Sequence, residues 1–323
     1  LIHINTEKIC SGTVEVVTKK ELQDIFDSGK RRAYIGFEPS GKGHIGWLIL
    51  AKKIRDLNES GFSVDILLAD THAKINDKLG GDEKRIEEAG NYLVETFNRL
   101  GSKFNVVKAS DFISTEGYVK TLLKVCKSVN PARIRRAMDI MGRSGEDESL
   151  DFAKMLYPAM QVADIFHNDW QVCLGGLDQR HAHMLARDVA VQNNWKPPVA
   201  IHTPLIPSLN GAGRMNPVDK MGKSNIAGSI FLSDSRQEIE QKIKSALFPP
   251  KDTDNAIVSI AVNILFGVNN YKMKIERPIK YGGDIEISAV DEFLGLVRSG
   301  KLHPTDVKLT VSKDLHSVII NAT

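Results

Sequence analysis

The chain has 323 residues, a mass of 35.8 kDa, 42% hydrophobic and 26% charged residues, and a formal net charge of +3. That fits an ordinary soluble protein with room for one large domain and a smaller one, and the charge permits contact with a polyanion without demanding it. No apolar run approaches the roughly 20 residues of a membrane span, which argues against a membrane protein. The polar start, Leu1–Lys8, offers no signal-peptide core. Cys10, Cys126 and Cys173 are odd in number, far apart and without a Cys-x-x-Cys pair. They argue against a disulfide framework or zinc site and fit a reducing cytoplasm.

In chain order, strands are expected at Arg32–Phe37, Val64–Asp70, Asn105–Ser110, Gln171–Gly176 and Ala200–Ile206. Runs such as Val64–Ala69 are almost wholly apolar, as strands covered by helices on both faces should be. Between them come helices at Ile45–Leu57 and Asp82–Leu100. The second carries Ile86, Ala89, Leu93, Phe97 and Leu100 on one stripe, with Asp82 as its cap. This alternation predicts an α/β fold, a doubly wound parallel sheet of the Rossmann-like kind, whose ligand lies at the carboxyl ends of the strands. Ser110 to about Asp151 breaks the rhythm and reads as a helical insertion carrying Arg133, Arg135, Arg136 and Arg143. Domain limits follow: 1–215 for the catalytic sheet, 216–230 for a loop, and 231–323 for a smaller, mainly helical domain. Pro204–Val218 has a mobile loop's composition, and Ser235-Arg-Gln-Glu238 is a capping box for a helix through Leu247.

Two segments carry the chemistry. Tyr34–Gly46, with Gly36, Gly41, Gly43 and Gly46, follows a strand and opens a helix, a geometry that offers backbone N–H groups and a helix dipole to phosphate. His44 there could cap the helix or donate to a phosphate oxygen. Lys220-Met-Gly-Lys-Ser224 is a doubly cationic loop able to close over the same phosphates. Together they predict an enzyme that handles ATP. Tyr157, Gln161 and Asp164, spaced i, i+4 and i+7, put polar groups on one face of an otherwise apolar helix. Tyr34 and Gln179 approach from strand ends. His181 and His183 invite a metal reading, but on a helix their rings diverge. No protein-bound metal is expected.

These residues resemble the class I aminoacyl-tRNA synthetases, whose two signatures are His-Ile-Gly-His and Lys-Met-Ser-Lys-Ser. Within that class the chain is similar to the tyrosyl enzymes of archaeal and eukaryotic type, along nearly its whole length. The likeness extends through Leu67–Ala73, Tyr157–Asp164, Gly175–Arg180, His183–Arg187 and Tyr281–Asp284. Two departures stand out: Trp47 replaces the second histidine, and Gly222 the third residue of the lysine signature. The latter predicts a looser loop.

The resemblance implies His44, Lys220 and Lys223 as catalytic residues acting on the ATP phosphates, with Gly36, Gly43, Gly46 and Ser224 also lining the nucleotide and Mg²⁺ accompanying it. It implies that Tyr34 and Asp164 bind the tyrosine phenol while Tyr157, Gln161 and Gln179 hold its ammonium end. A site that hydrogen-bonds a hydroxyl rejects the analogue lacking it, because its own polar groups stay unpaired; tyrosyl enzymes are themselves the standard example of that rule. It further implies Arg136 and Arg180 near the first acceptor base pair of tRNA(Tyr), and Tyr281, His303 and Asp306 at anticodon-reading positions of the C-terminal domain. A cytoplasmic homodimer, joined near Ser110–Asp151, is the implied assembly. Rival readings are the tryptophanyl relative, another nucleotidyltransferase of the same fold, and a non-catalytic RNA-binding paralogue. Tyr34 with Asp164 favours a phenol over an indole.

Overall fold

The computed structural model describes residues 2–142, 150–211, 220–222 and 225–322. Arg143, Lys223, Ser224 and the 212–218 part of the loop read at Pro204–Val218 lie outside them. The chain divides into two compact units: Leu1–Gly41 with Leu50–Pro204, and Lys42–Ile49 with Leu205–Thr323.

The first unit holds α1 (Ile2–Cys10), β1 (Glu15–Val17), α2 (Lys19–Ser28), β2 (Arg32–Phe37), most of α3 (Gly46–Glu59), β3 (Ser63–Leu68), α4 (Asp70–Ile75), α5 (Glu83–Arg99) and β4 (Asn105–Lys108). It continues with α6 (Glu116–Lys127), α7 (Pro131–Arg136), α8 (Phe152–His167), β5 (Val172–Gly176), α9 (Arg180–Gln192) and β6 (Val199–Thr203). The six strands order as β1-β6-β5-β2-β3-β4, all neighbours parallel except β1 with β6. β2, β3 and β4 run outward one way while β5 and β6 return on the other side of β2. The order therefore reverses between β2 and β5, and a ligand crevice belongs at their carboxyl ends. In β3 and β6 nearly every side chain is buried, which is why both read as unbroken apolar runs.

The structure corrects several boundaries. The strand expected at Val64–Asp70 stops at Leu68. Asp70 instead starts α4, its carboxylate accepting from the Ser110 N–H and hydroxyl at 2.9 and 2.5 Å. Ser110 and Ile206 likewise fall beyond β4 and β6. Asp82 caps α5 as expected by accepting from the Arg85 N–H, and Ile86, Leu93, Phe97 and Leu100 are buried while Ala89 is half-buried. β1 was not expected; its three residues are half-buried and gain strand character only by pairing with β6.

The sheet encloses one polar node. Asp65, 3% exposed on β3, accepts from Arg32 at 2.8 Å, from Asn105 at 2.8 Å and from the Trp170 indole at 2.7 Å. Three donors satisfy the carboxylate that burial would otherwise penalise. Asp65→Leu orphans the buried Trp170 N–H, and the expected loss is about 1–3 kcal/mol of stability, read as a lower urea midpoint.

The second unit contains α10 (Arg236–Ser245), α11 (Ala256–Ile260), α12 (Val290–Ser299) and α13 (Pro304–Ala322). Ser235 and Glu238 form the expected capping box, although α10 ends at Ser245, two residues before Leu247. Val307, Val311, Leu315 and Ile319 make a four-residue-spaced buried stripe along α13. A short antiparallel hairpin, β7 (Met273–Ile275) with β8 (Ile285–Ile287), interrupts the helices and was not expected.

Candidate active site

In the first unit, α8 presents Tyr157, Gln161 and Asp164 to the same crevice that β2 and the turn after β5 reach with Tyr34 and Gln179. Asp151 caps the helix by accepting from the Lys154 N–H at 2.8 Å. Tyr34 sits within β2, opposite Cys173 of β5, not at the strand end as expected, and its ring stacks on Trp170 at 4.3 Å. It is 1% exposed, yet its phenol oxygen has no directed hydrogen-bond partner among the described residues. Burial foremost, with the Asp164 carboxylate adding to it, pushes this phenol well above its ordinary range, the Gln161 amide acting in the opposite sense. Tyr34 therefore stays a neutral O–H.

Asp164, also 1% exposed, accepts from the Tyr118 hydroxyl at 3.0 Å and has His72 Nε2 3.0 Å from its second oxygen. Towards the start of α8, Gln161 Nε2 donates to Gln179 Oε1 at 3.1 Å, which leaves the Gln161 carbonyl as an acceptor. Tyr157 is pushed well above its ordinary range by burial and by the charge and hydrogen bond of Glu38. Glu38 in turn accepts from Asn76 at 2.9 Å and pairs with Lys78 at 3.4 Å. The pocket thus has a hydroxyl-seeking floor, Tyr34 and Asp164, and a rim rich in oxygen acceptors.

Sequence reasoning missed Glu38, His72, Tyr118 and Trp170 as pocket residues. Glu38 and His72 lie inside segments already singled out, but Tyr118 belongs to the insertion and nothing local links it to Asp164. A cavity of about 440 Å³ opens elsewhere, against Glu21, Phe166, Trp170 and Trp195. It sits by the amino ends of β5 and β6, the end of a parallel sheet that does not bind ligands.

The second unit holds the other signature residues. Ile45 N–H donates to Ile230 O at 3.0 Å and Leu232 N–H to Gly43 O at 2.9 Å, so the His44 segment pairs with residues 230–232. Ser229 Oγ accepts from Gly222 N–H and donates to Gly222 O, both at 3.0 Å. The lysine signature is tied to that same run through both the N–H and the C=O of Gly222. Pro207 bridges to Lys220 from the opposite side. Gly46 N–H donates to His44 Nδ1 at 3.1 Å, which places the proton of the neutral imidazole on Nε2. A Cβ on Gly46 would stand 2.6 Å from the His44 ring, and one on Gly43 2.4 Å from the Trp47 ring. Trp47, 4% exposed, is therefore a packing residue that requires glycine at 43. Gly36 lies exposed on β2 in the first unit, and Gly41 takes a positive φ of 119°.

Arg135 and Arg136 are exposed, whereas Arg133 pairs with Asp188 at 2.9 Å. Arg180 opens α9 and donates to Glu15 at 2.6 Å. His181 meets Asp139 at 2.6 Å on the surface while His183 is buried against His202 at 2.9 Å, so the two rings face different partners. In the second unit Tyr281 is 65% exposed under Lys280, and His303 Nδ1 accepts from the Thr305 N–H at 3.2 Å, capping α13 three residues before half-buried Asp306.

Residues 27–319 match the family model described as tRNA synthetases class I (W and Y). The tyrosine–tRNA ligase of Sulfolobus acidocaldarius is 44% identical over 96% of this chain and 90% of its own length. The tyrosyl-tRNA synthetase structure from Aeropyrum pernix superposes with a TM-score of 0.89 at 37% identity, covering 99% of this chain and 93% of that one. The one from Pyrococcus horikoshii, complexed with L-tyrosine, gives 0.92 at 32% identity over 99% and 95%. No described helix is long and apolar enough to cross a membrane. With both signatures, the polar stripe of α8 and this whole-chain likeness in sequence and structure, the chain belongs to the class I tRNA synthetases of the tryptophanyl and tyrosyl family, in its archaeal-type tyrosyl branch.

Proposed function

We propose that the chain activates tyrosine with ATP to tyrosyl-adenylate and pyrophosphate, then transfers the tyrosyl group to the 3′ end of tRNA(Tyr). The buried, unpartnered Tyr34 hydroxyl beside the buried Asp164 carboxylate carries this reading. A substrate phenol can accept from the first and donate to the second. Tyr157, Gln161 and Gln179 receive the ammonium group, a role supported by the acceptor-rich rim. The substrate carboxylate attacks the ATP α-phosphate, and no protein nucleophile is required. His44, through Nε2–H, and Lys220 neutralise charge developing on the phosphates, together with Lys223 and Ser224; Gly36, Gly43 and Gly46 are assigned to the nucleotide lining by the same family likeness.

Among the described residues no group of three or more His, Cys, Asp or Glu side chains could hold an ion. Mg²⁺ would then arrive coordinated by the ATP phosphates, where it neutralises charge. Arg136 and Arg180 suit the acceptor end of tRNA, and Tyr281, His303 and Asp306 the anticodon. Exposed Val119 and Leu123 on α6 support a homodimer through the inserted segment, and three free cysteines support a reducing cytoplasm.

Charging of tRNA(Tyr) with radiolabelled tyrosine tests the whole reaction; activation without charging would limit the chain to the first step. Tyr281→Ala is expected to lower kcat/KM for tRNA about tenfold, the worth of one base–aromatic stack, with adenylate formation intact. An equal loss in both steps would show that Tyr281 serves folding.

A further inference from the structure

The floor of the pocket contains a second buried titratable group that the proposed reaction does not use. His72, on α4, places Nε2 3.0 Å from Asp164 Oδ2, and both side chains are 1% exposed. The opposite carboxylate oxygen is already occupied by the Tyr118 hydroxyl, which also lies 3.2 Å from Met160 O. The imidazole meets Asp164 off the direction of a hydrogen bond, so the contact is one of charge. The Tyr157 ring stands edge-on to the imidazole with centroids 5.1 Å apart, walling off that side. A carboxylate buried among aromatic rings needs a counter-charge, and among the described residues His72 is the basic side chain within ion-pair distance of Asp164.

We propose that His72 is a specificity-determining residue: as the imidazolium partner of Asp164 it keeps that carboxylate a pure acceptor, so that the pocket demands a ligand hydroxyl. This rests on the reading that Tyr34 and Asp164 hold a phenol. With the proton on His72, a ring lacking a hydroxyl leaves a buried charged acceptor unpaired, which costs more than leaving a neutral one. When a neutral side chain replaces His72, the buried carboxylate loses its counter-charge and burial favours its neutral form, which carries its own donor, so the penalty against phenylalanine shrinks. His72 touches no reacting atom and acts through Asp164.

The groups facing His72 are Asp164 and Tyr157 from α8, Glu38 after β2 and Asp70 on its own helix, with Tyr118 from α6 reaching it through Asp164. Burial lowers the imidazole, but Asp164, then Glu38 and Asp70, outweigh it and hold it above its ordinary value. These carboxylates thus favour the charged form of the imidazole beyond that of a free one.

The test is kcat/KM for tyrosine and for phenylalanine in ATP–pyrophosphate exchange, between about pH 6 and pH 9, below the range where tyrosine itself ionises. In wild type the tyrosine-to-phenylalanine ratio is expected to hold as pH rises, because loss of the His72 proton still leaves Asp164 a carboxylate. In His72→Gln it is expected to be lower by about tenfold or more at the acid end, mainly through KM for tyrosine and with KM for ATP unchanged, and to recover as pH rises. Equal losses for both amino acids in the variant, or a variant ratio that stays level with pH, would overturn the proposal. If that variant does not fold, His72→Asn is read by the same ratios. Tyr34→Phe separates the two readings: an unchanged ratio there would refute the phenol pocket itself.

Discussion

Asp164→Asn is expected to lower kcat/KM for tyrosine in adenylate formation by roughly 10²-fold, with KM for ATP nearly unchanged. Asp164 is the charged acceptor of the floor, and hydrogen bonds to charged groups are worth about 1.5–3 kcal/mol, or 10- to 150-fold. The amide can still accept from Tyr118 but loses its charge opposite His72. The substitution should therefore also cost stability, and the buried imidazole should give up its proton. Phenylalanine loses much less, because it never used the carboxylate, so discrimination narrows from the tyrosine side. Steady-state exchange kinetics beside a thermal melt separate the effects. A variant that keeps wild-type preference for tyrosine would sink the assignment of Asp164 as the hydroxyl acceptor.

His44→Ala and Lys220→Ala form the second large expectation. Each is expected to reduce the rate of adenylate formation by about 10²–10³-fold while leaving tyrosine affinity in place, since preorganised donors act on charge that develops only as the phosphate is displaced. The Gly46 N–H fixes the His44 tautomer, so the alanine change removes an oriented donor. Gly46→Ala drives a Cβ into the same ring and should approach the His44→Ala rate. Rapid-quench measurement of adenylate formation, with tyrosine binding followed separately, decides the matter. A parallel loss of tyrosine affinity would mean that these changes damage the fold rather than phosphate chemistry.

The periodicities that were legible in sequence are those written by burial on a single element. β2 was read to its exact ends because a strand covered by helices is an apolar run bounded by polar residues. The i, i+4, i+7 spacing put Tyr157, Gln161 and Asp164 on one face of α8. The Asp82 and Ser235 caps were readable because a cap is a local bond between near neighbours. What failed depends on distant chain. β1 and the β7–β8 hairpin are three-residue strands whose pairing carries more information than their composition. Asp70 was placed on a strand because the apolar run reaches it, whereas its carboxylate turns onto Ser110, 40 residues away. Tyr118 reaches Asp164 across 46 residues, so no motif could announce it. Trp47 looked like a gap in a signature, and its packing on Gly43 emerges only in three dimensions.

The most direct measurement is amino-acid-dependent ATP–pyrophosphate exchange by the purified full chain, with tyrosine, phenylalanine and tryptophan compared by kcat/KM. Exchange that strongly prefers tyrosine is the predicted result, because Tyr34 and Asp164 leave a donor and an acceptor that only a hydroxyl satisfies together. Equal exchange with phenylalanine, or a preference for tryptophan, would contradict it.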